Sequence, residues 1–254
     1  MKSGKIILLD IFSYSCMNCL RSLRFIKKID KQYKKYGLET ILVHPPEWRF
    51  EKDSNNILYI LKKHKIKIPI VIDKNKKLIR ELDVDFWPTQ IVMDDGKILY
   101  RHVGEGNYKK LENAIRNILK AEPKRIFNRE PEYSKFPPLY MGKRKKGRIV
   151  KRIGELRLGS VYTEGKWAQK EECLENKGAA SLAIQTKGKI VNIVAKAIRD
   201  KPAAIFIMLG DKPLRRIVIN RPDLYPLVRI KGSKQHTLTL MTKSKIAVYS
   251  FSFE

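Results

Sequence analysis

The stretch KIILLDIFSYSCMNCL, beginning at Lys5, constrains this chain more than any other. Its β-branched and aromatic residues up to Tyr14 read as a strand. Beyond it the apolar positions Leu20, Leu23, Ile26, Ile29, Tyr33 and Tyr36 recur at helical spacing. Cys16 therefore stands at the first turn of a helix, where unpaired backbone N–H groups and the positive end of the dipole favour a thiolate over a thiol. Cys19 lies within one turn of it, close enough to close a disulfide and to release a client held as a mixed disulfide. The same spacing also suits half of a zinc site. Zinc needs four ligands, however, and the one other cysteine, Cys173, is far off without a partner pair.

Asp10 precedes Cys16 by six residues on the strand. Alternation directs it opposite to its apolar neighbours and inward, where burial raises a carboxyl pKa toward neutrality. It is then a candidate proton acceptor for Cys19 as exchange proceeds. The plainer alternative is a strand-end Asp bound to a Lys.

The 254 residues suit two domains of roughly 100 to 150 residues, each with its own core. No segment is long and apolar enough to span a bilayer. Lys2 and Lys5 flank only a short apolar run that the first strand already needs, so the sequence predicts a cytoplasmic chain without a secretory signal. Three cysteines are too few for a disulfide framework, which leaves the pair as catalytic redox chemistry and Cys173 as structural. The formal charge of +28 invites a nucleic-acid reading. Basic residues such as Lys27, Lys28, Lys31, Lys34 and Lys35 are spread over helix faces, so any such binding is expected to be non-specific.

Taken in order, residues 39–44 (ETILVH) form a second strand ended by Pro45-Pro46, with His44 at its end, a position where ligands collect but a lone His is more often structural. Ser54 caps a helix to about residue 64 with Ile57, Leu58 and Leu61 inward. Residues 68–73 (IPIVID) read as a buried strand and 76–82 as a short helix. Residues 90–93 and 97–102 flank the turn Asp94-Asp95-Gly96 as an antiparallel hairpin. Pro88 stands just before that hairpin in Asp85-Phe86-Trp87-Pro88-Thr89, and X-Pro is the bond at which a cis turn is cheap. Asn107 is the expected N-cap of an amphipathic helix to residue 120, with Leu111, Ala114, Ile115, Ile118 and Leu119 on one face.

This order of elements resembles the thioredoxin fold, an α/β fold with a central mixed sheet flanked by helices. In that family a buried Asp six residues before the first Cys and a cis-Pro packed on the CxxC are the rule, and Asp10 and Pro88 occupy those places. The words LLDIFSYSCMNCLRSL, VHPPEW, FWPTQIVMDDGKI, HVGEGNYKKLENAI, FPPLYMG, LYPLVRIKGSKQHTLTL and AVYSFSFE are similar to the DipZ-type thiol-disulfide oxidoreductases. The resemblance implies protein clients with disulfides or thiols. It also implies an electron donor or acceptor such as a CcdA-like membrane protein or thioredoxin reductase. No cofactor is implied beyond the redox-active Cys16-Cys19 disulfide. Met17-Asn18 between the cysteines is neither the Gly-Pro of reducing thioredoxins nor the Pro-His of strong oxidants, so the direction of exchange is open.

The sequence predicts a redox domain over 1–122, a basic Pro-containing linker over 123–152 and a β domain over 153–254. The linker holds eleven basic residues against two acidic, including Lys143-Arg144-Lys145-Lys146. Tyr133, Phe136 and Tyr140 imply that part of it packs on a neighbour. Short alternating runs at 181–185, 190–195, 204–209, 216–219, 227–230, 237–241 and 247–253 imply an all-β sandwich, which the resemblance likens to the jelly rolls of carbohydrate-binding modules. Trp167 and Tyr225 are the candidate sugar platforms, though core or edge packing is the commoner use of such residues.

The mechanism expected is dithiol-disulfide exchange, with Cys16 attacking, Cys19 resolving and Asp10 relaying the proton. Pro88, Trp87 and Thr89 would present backbone to a bound client, and Tyr14 would line its site. No metal is expected there. The rival is a non-catalytic binding module that uses the basic linker and the β domain on a polyanion, nucleic acid or glycan.

Overall fold

The computed structural model describes residues 5–126, 136–145, 149–151, 156–199, 201–230 and 235–253. Two compact units divide the chain, residues 1–132 and 133–254.

The first unit runs β1 (Ile6–Ile11), α1 (Met17–Tyr33), β2 (Leu38–His44), α2 (Ser54–Lys63), β3 (Ile70–Ile72), α3 (Lys77–Glu81), β4 (Thr89–Asp94), β5 (Lys97–Val103) and α4 (Tyr108–Leu119). Its sheet order is β3-β2-β1-β4-β5. β1 is apolar on both faces because it is the middle strand, parallel to β2 and antiparallel to β4. This is the mixed thioredoxin-like sheet that the sequence predicts. Leu9, Ile11, Val43, Ile79, Val84 and Ile91 form the core of one face, with Ile79 supplied by α3. Asp10 belongs to the other face, where α1 and α4 meet: Phe25 stacks on Tyr108 at 4.1 Å, and the Tyr33 hydroxyl donates to Glu112 Oε1 at 2.8 Å.

Several local expectations need correction. Asp53, not Ser54, caps α2, because Asp53 has extended dihedrals (φ −78°, ψ 113°) and its Oδ1 accepts the Asn55 N–H at 2.9 Å. Ile57 and Ile60 face inward while Leu58, about 100° round the helix from Ile57, is 56 % exposed. The predicted strand at 68–73 shrinks to β3, an edge strand whose Val71 points to solvent. Asn107 precedes α4 in the left-handed region (φ 52°), so its side chain makes no capping bond.

The second unit contains β6 (Leu139–Tyr140), β7 (Ile149–Lys151), β8 (Val161–Gln169), β9 (Leu174–Thr186), β10 (Ile190–Ala197), β11 (Ala203–Leu209), β12 (Lys212–Ile219), β13 (Asp223–Arg229), β14 (His236–Thr242) and β15 (Ile246–Phe253). Hydrogen bonds join all ten into one all-β sheet. It folds over through β9. Leu174 and Glu175 of β9 pair with β15, whereas residues 180–186 pair with β14. The strand thus passes from a β13-β10-β15 layer to a β12-β11-β14 layer. At this bend Gly165 of β8 has φ +86° and lies so close to β9 that a Cβ would meet the Ala179 carbonyl at 2.8 Å. Between the layers lies a core that includes Leu182, Ile193, Ile205, Leu240 and Phe251.

β8 escapes the alternation rule because its central residues, Glu164-Gly165-Lys166, are polar or lack a side chain. The expected linker is also not featureless. Leu139 and Ile149 pack against the β core, β6 pairs with β15, β7 pairs with β8, and Phe136 lies 6.4 Å edge-on from Phe253. Tyr133 and Lys146 lie outside the described residues. Trp167 and Tyr225 are partly buried and pack against the same core.

Candidate active site

β1 delivers the site. After it the Cys16 N–H donates to the Ser13 carbonyl at 3.2 Å, and α1 opens with Cys16 as its N-cap. Cys16 has extended dihedrals (φ −88°, ψ 114°), and its Sγ accepts the Cys19 N–H at 3.3 Å. That is the capping bond a Ser would make in the same place. Cys16 is partly exposed, Cys19 is fully buried, and all three cysteines are unbridged thiols. Burial pushes the Cys19 thiol well above its ordinary range, and its bond to Cys16 adds to the effect.

Asp10 lies beneath, fully buried, and its charge bears on the Cys19 thiol. Burial lifts its carboxyl from 3.8 to about 7, against the hydrogen bond from Gln90. Gln90 stands opposite Asp10 on β4 and its Nε2 donates to Asp10 Oδ1 at 2.8 Å and to Ser22 Oγ of α1 at 3.2 Å. The second carboxyl oxygen, Oδ2, has no hydrogen-bond partner. Asp10 is thus a carboxyl poised to take a proton near neutral pH.

Beside the dithiol, the Trp87-Pro88 bond is cis and Pro88 is buried. The Trp87 carbonyl oxygen is 3.9 Å from Cys16 Sγ. The Trp87 indole N–H donates to Glu47 Oε2 at 3.2 Å, and the Lys76 ammonium sits 5.3 Å over its ring. Phe86, next in line, is 70 % exposed. On the far side of Cys19, Arg21 grips Glu105 with two 2.7 Å bonds and reaches Asn18, between the cysteines, at 2.6 Å.

Cys16, Cys19, Asp10, Trp87 and Pro88 therefore converge. Tyr14 and Thr89 do not line an open site. Tyr14 is 1 % exposed, its N–H donates to His44 Nε2 at 3.4 Å, and its ring stacks on His44 at 5.4 Å. Burial lowers His44 to about 4, so it is a neutral, packed imidazole. Thr89 is buried between Ile11 and Val103 in the sheet, and its hydroxyl donates to the Phe86 carbonyl at 2.7 Å. Thr89 braces the turn, at which Phe86 is exposed and Trp87 packs partly buried against the core.

Sequence reasoning missed Glu51. Its carboxylate is fully buried beneath the Cys16 loop and accepts from Ser13 Oγ at 2.8 Å, Ser15 Oγ at 2.6 Å and the Glu47 N–H at 2.5 Å. Nothing local marked it, since Glu51 stands among charged residues, with Glu47, Arg49, Lys52 and Asp53 around it.

Residues 1–117 match the family model described as Redoxin, and residues 143–253 match the one described as a thioredoxin like C-terminal domain. With the fold, these make the chain similar to the thioredoxin-like disulfide oxidoreductases. It is similar to Protein DipZ of Mycobacterium bovis, 24 % identical over 277 residues, 98 % of this chain. The chain spans 39 % of that relative's length. The redox unit is also similar to the thiol-disulfide oxidoreductase ResA of Bacillus cereus, 27 % identical over 116 residues, covering 45 % of this chain and 64 % of ResA. Among solved structures, StoA from Bacillus subtilis is similar at a TM-score of 0.39 and 18 % identity, over 44 % of this chain and 82 % of that one. Among the described residues no helix is long and apolar enough to cross a membrane.

Proposed function

We propose that the protein exchanges disulfides with protein clients through Cys16 and Cys19. The observation that carries this reading is the asymmetry of the pair: one sulfur partly exposed at a helix N-terminus, the other fully buried one turn on and within the influence of Asp10.

In the reducing direction the Cys16 thiolate attacks one sulfur of a client disulfide. The client S–S bond breaks, a Cys16-client disulfide forms, and the departing client thiolate takes up a proton. Cys19 then gives its proton to Asp10 and attacks the Cys16 sulfur, closing the Cys16-Cys19 disulfide and expelling the second client sulfur as a thiolate that takes a proton from solvent. Two electrons pass from the dithiol to the client, and a donor dithiol of the CcdA-like or thioredoxin-reductase class restores the pair. Run backward, the same steps oxidise a client. The Trp87 carbonyl near Cys16 and the exposed Phe86 suit an extended client segment laid beside the sulfur, with Pro88 shaping the turn.

Brief alkylation followed by mass mapping tests the assignment. Cys16 is expected to label first while Cys19 and Cys173 stay protected. Cys19→Ser is expected to trap a Cys16-client disulfide, and Cys16→Ser to abolish insulin reduction in the presence of dithiothreitol. First labelling at Cys19 or Cys173, or full activity in Cys16→Ser, would overturn the reading in favour of a binding module.

A further inference from the structure

Glu51 is a fully buried acid that the exchange steps leave unused, and it touches the elements that surround Cys16 rather than the sulfur itself. It lies in the 3₁₀ turn Arg49–Lys52 that follows β2. Oε1 accepts three donors from the loop between β1 and α1: Ser13 Oγ at 2.8 Å, Ser15 Oγ at 2.6 Å and the Ser15 N–H at 3.3 Å. Oε2 accepts the Glu47 N–H. Glu47 Oε2 in turn accepts a hydrogen bond from the indole N–H of Trp87, whose carbonyl faces the Cys16 sulfur. Ser15 immediately precedes Cys16, and Ser13 supplies the carbonyl that the Cys16 N–H binds.

One carboxylate therefore ties the Cys16 loop to the loop after β2 and, through Glu47, to the Trp87 turn. We propose that Glu51 is a positioning residue for exchange, a buried anchor that fixes the Cys16 loop against the Trp87 turn through Ser13, Ser15 and Glu47. The inference rests on the exchange reading above.

An acceptor is what this place requires. Four donors converge on the two oxygens, and an ionised carboxylate, which accepts only, satisfies all of them. A hydrophobic residue here would take this acceptor from the Glu47 N–H and from the serine pair, whose hydroxyls would keep only each other at 3.3 Å and the Ser15 N–H only Ser13 Oγ at 3.3 Å, and an amide would set its NH₂ against one of the donors. Burial, and after it the neighbouring Glu47, raises the carboxyl to about 7, against the bonds from Ser15 and Ser13. Such a cost of burial is hard to reconcile with a filler residue, since an apolar side chain would fill the volume without it.

The test compares Glu51→Ala, Glu51→Gln, the pair Ser13→Ala/Ser15→Ala, and all three alanines together. The readouts are the rate of Cys16 alkylation by iodoacetamide and the kcat/KM for insulin and for glutathione disulfide. Glu51→Ala and the serine pair are each expected to slow exchange about tenfold, equally for both disulfides. The triple variant is expected to be no slower than either, since all three changes cut the same tie. Glu51→Gln, whose amide oxygen keeps the serine bonds, is expected to recover most of the loss. Should Glu51→Ala fail to fold, the serine pair and Glu51→Gln carry the comparison. Full rates in the folded serine-pair variant, or losses that multiply in the triple variant, would overturn the inference. Alkylation of Cys16 needs no client, so a wild-type protein that alkylates normally but reduces neither disulfide would refute the exchange reading, while the Glu51 comparison would still be read from alkylation alone.

Discussion

Asp10 carries a cost that can be measured apart from catalysis. Its carboxyl is lifted from 3.8 to about 7 by burial. Between these values the folded state holds a proton that the unfolded chain has released, so stability from this group is lost as pH rises through the window. Asp10→Asn keeps an acceptor for Gln90 and removes the charge. Above pH 7 it is expected to stabilise the redox unit by on the order of 4 kcal/mol, at about 1.4 kcal/mol per pH unit, with the gain vanishing below pH 4. Urea unfolding of both proteins at pH 4 and pH 8 checks this. His44, lowered to about 4, acts in the opposite sense as pH falls below 6.5, so the comparison between the two proteins is what isolates Asp10. The same substitution is expected to slow closure of the Cys16-Cys19 disulfide about tenfold or more, visible as accumulated mixed disulfide. Asp10 was legible because the strand, a fixed spacing and both cysteines all lie between Ile6 and Cys19. Glu51 was not, because its partners Ser13 and Ser15 stand 38 and 36 residues away and nothing local in the sequence joins them. Tyr14 was misplaced for a related reason: alternation says which face of a strand a residue occupies, but not that His44 and Phe50 close over it.

At the scale of elements, the helices and strands were legible wherever one face is buried and the other wet. The strong period of α1 and the hairpin turn, with Asp95 and Gly96 both at positive φ, stand where the sequence predicts. Ends were less legible. Ser54 was expected as the cap of α2, and the backbone gives that place to Asp53, one residue earlier. Asp53→Ala is expected to destabilise the redox unit by about 1 kcal/mol, and Ser54→Ala to change it by less than about 0.5 kcal/mol, both read from urea midpoints. The tie between α1 and the loop before α4 is a larger matter. Arg21 and Glu105 are both largely buried, so Arg21→Ala leaves a carboxylate with no counter-ion and is expected to cost about 3 to 5 kcal/mol. The strands of the β unit were legible where they alternate strictly. β8 and the first half of β9 escaped notice because they run through the bend where the layers join, and a bend breaks the period that marks a strand.

For the whole molecule, two units with separate cores imply two separable stabilities. Phe251 is fully buried in the β core, so Phe251→Ala is expected to lower the β unit's stability by about 3 to 5 kcal/mol. Insulin reduction at 25 °C is expected to persist at its wild-type rate. Calorimetry alongside the insulin assay reads both effects. The basic stretch 123–152 was expected as a linker because charge and proline dominate its composition, and composition is blind to a two-residue strand. Yet Leu139 and Tyr140 pair with Phe251 and Ser250, so the first strand of the β unit lies against the last. The path of the chain into the unit and the path out of it share one edge of one strand. A unit built in this way is topologically a loop: it can be opened at another turn and rejoined at that edge without disturbing its sheets, which is the geometry that lets a module be inserted into a host chain at a single point.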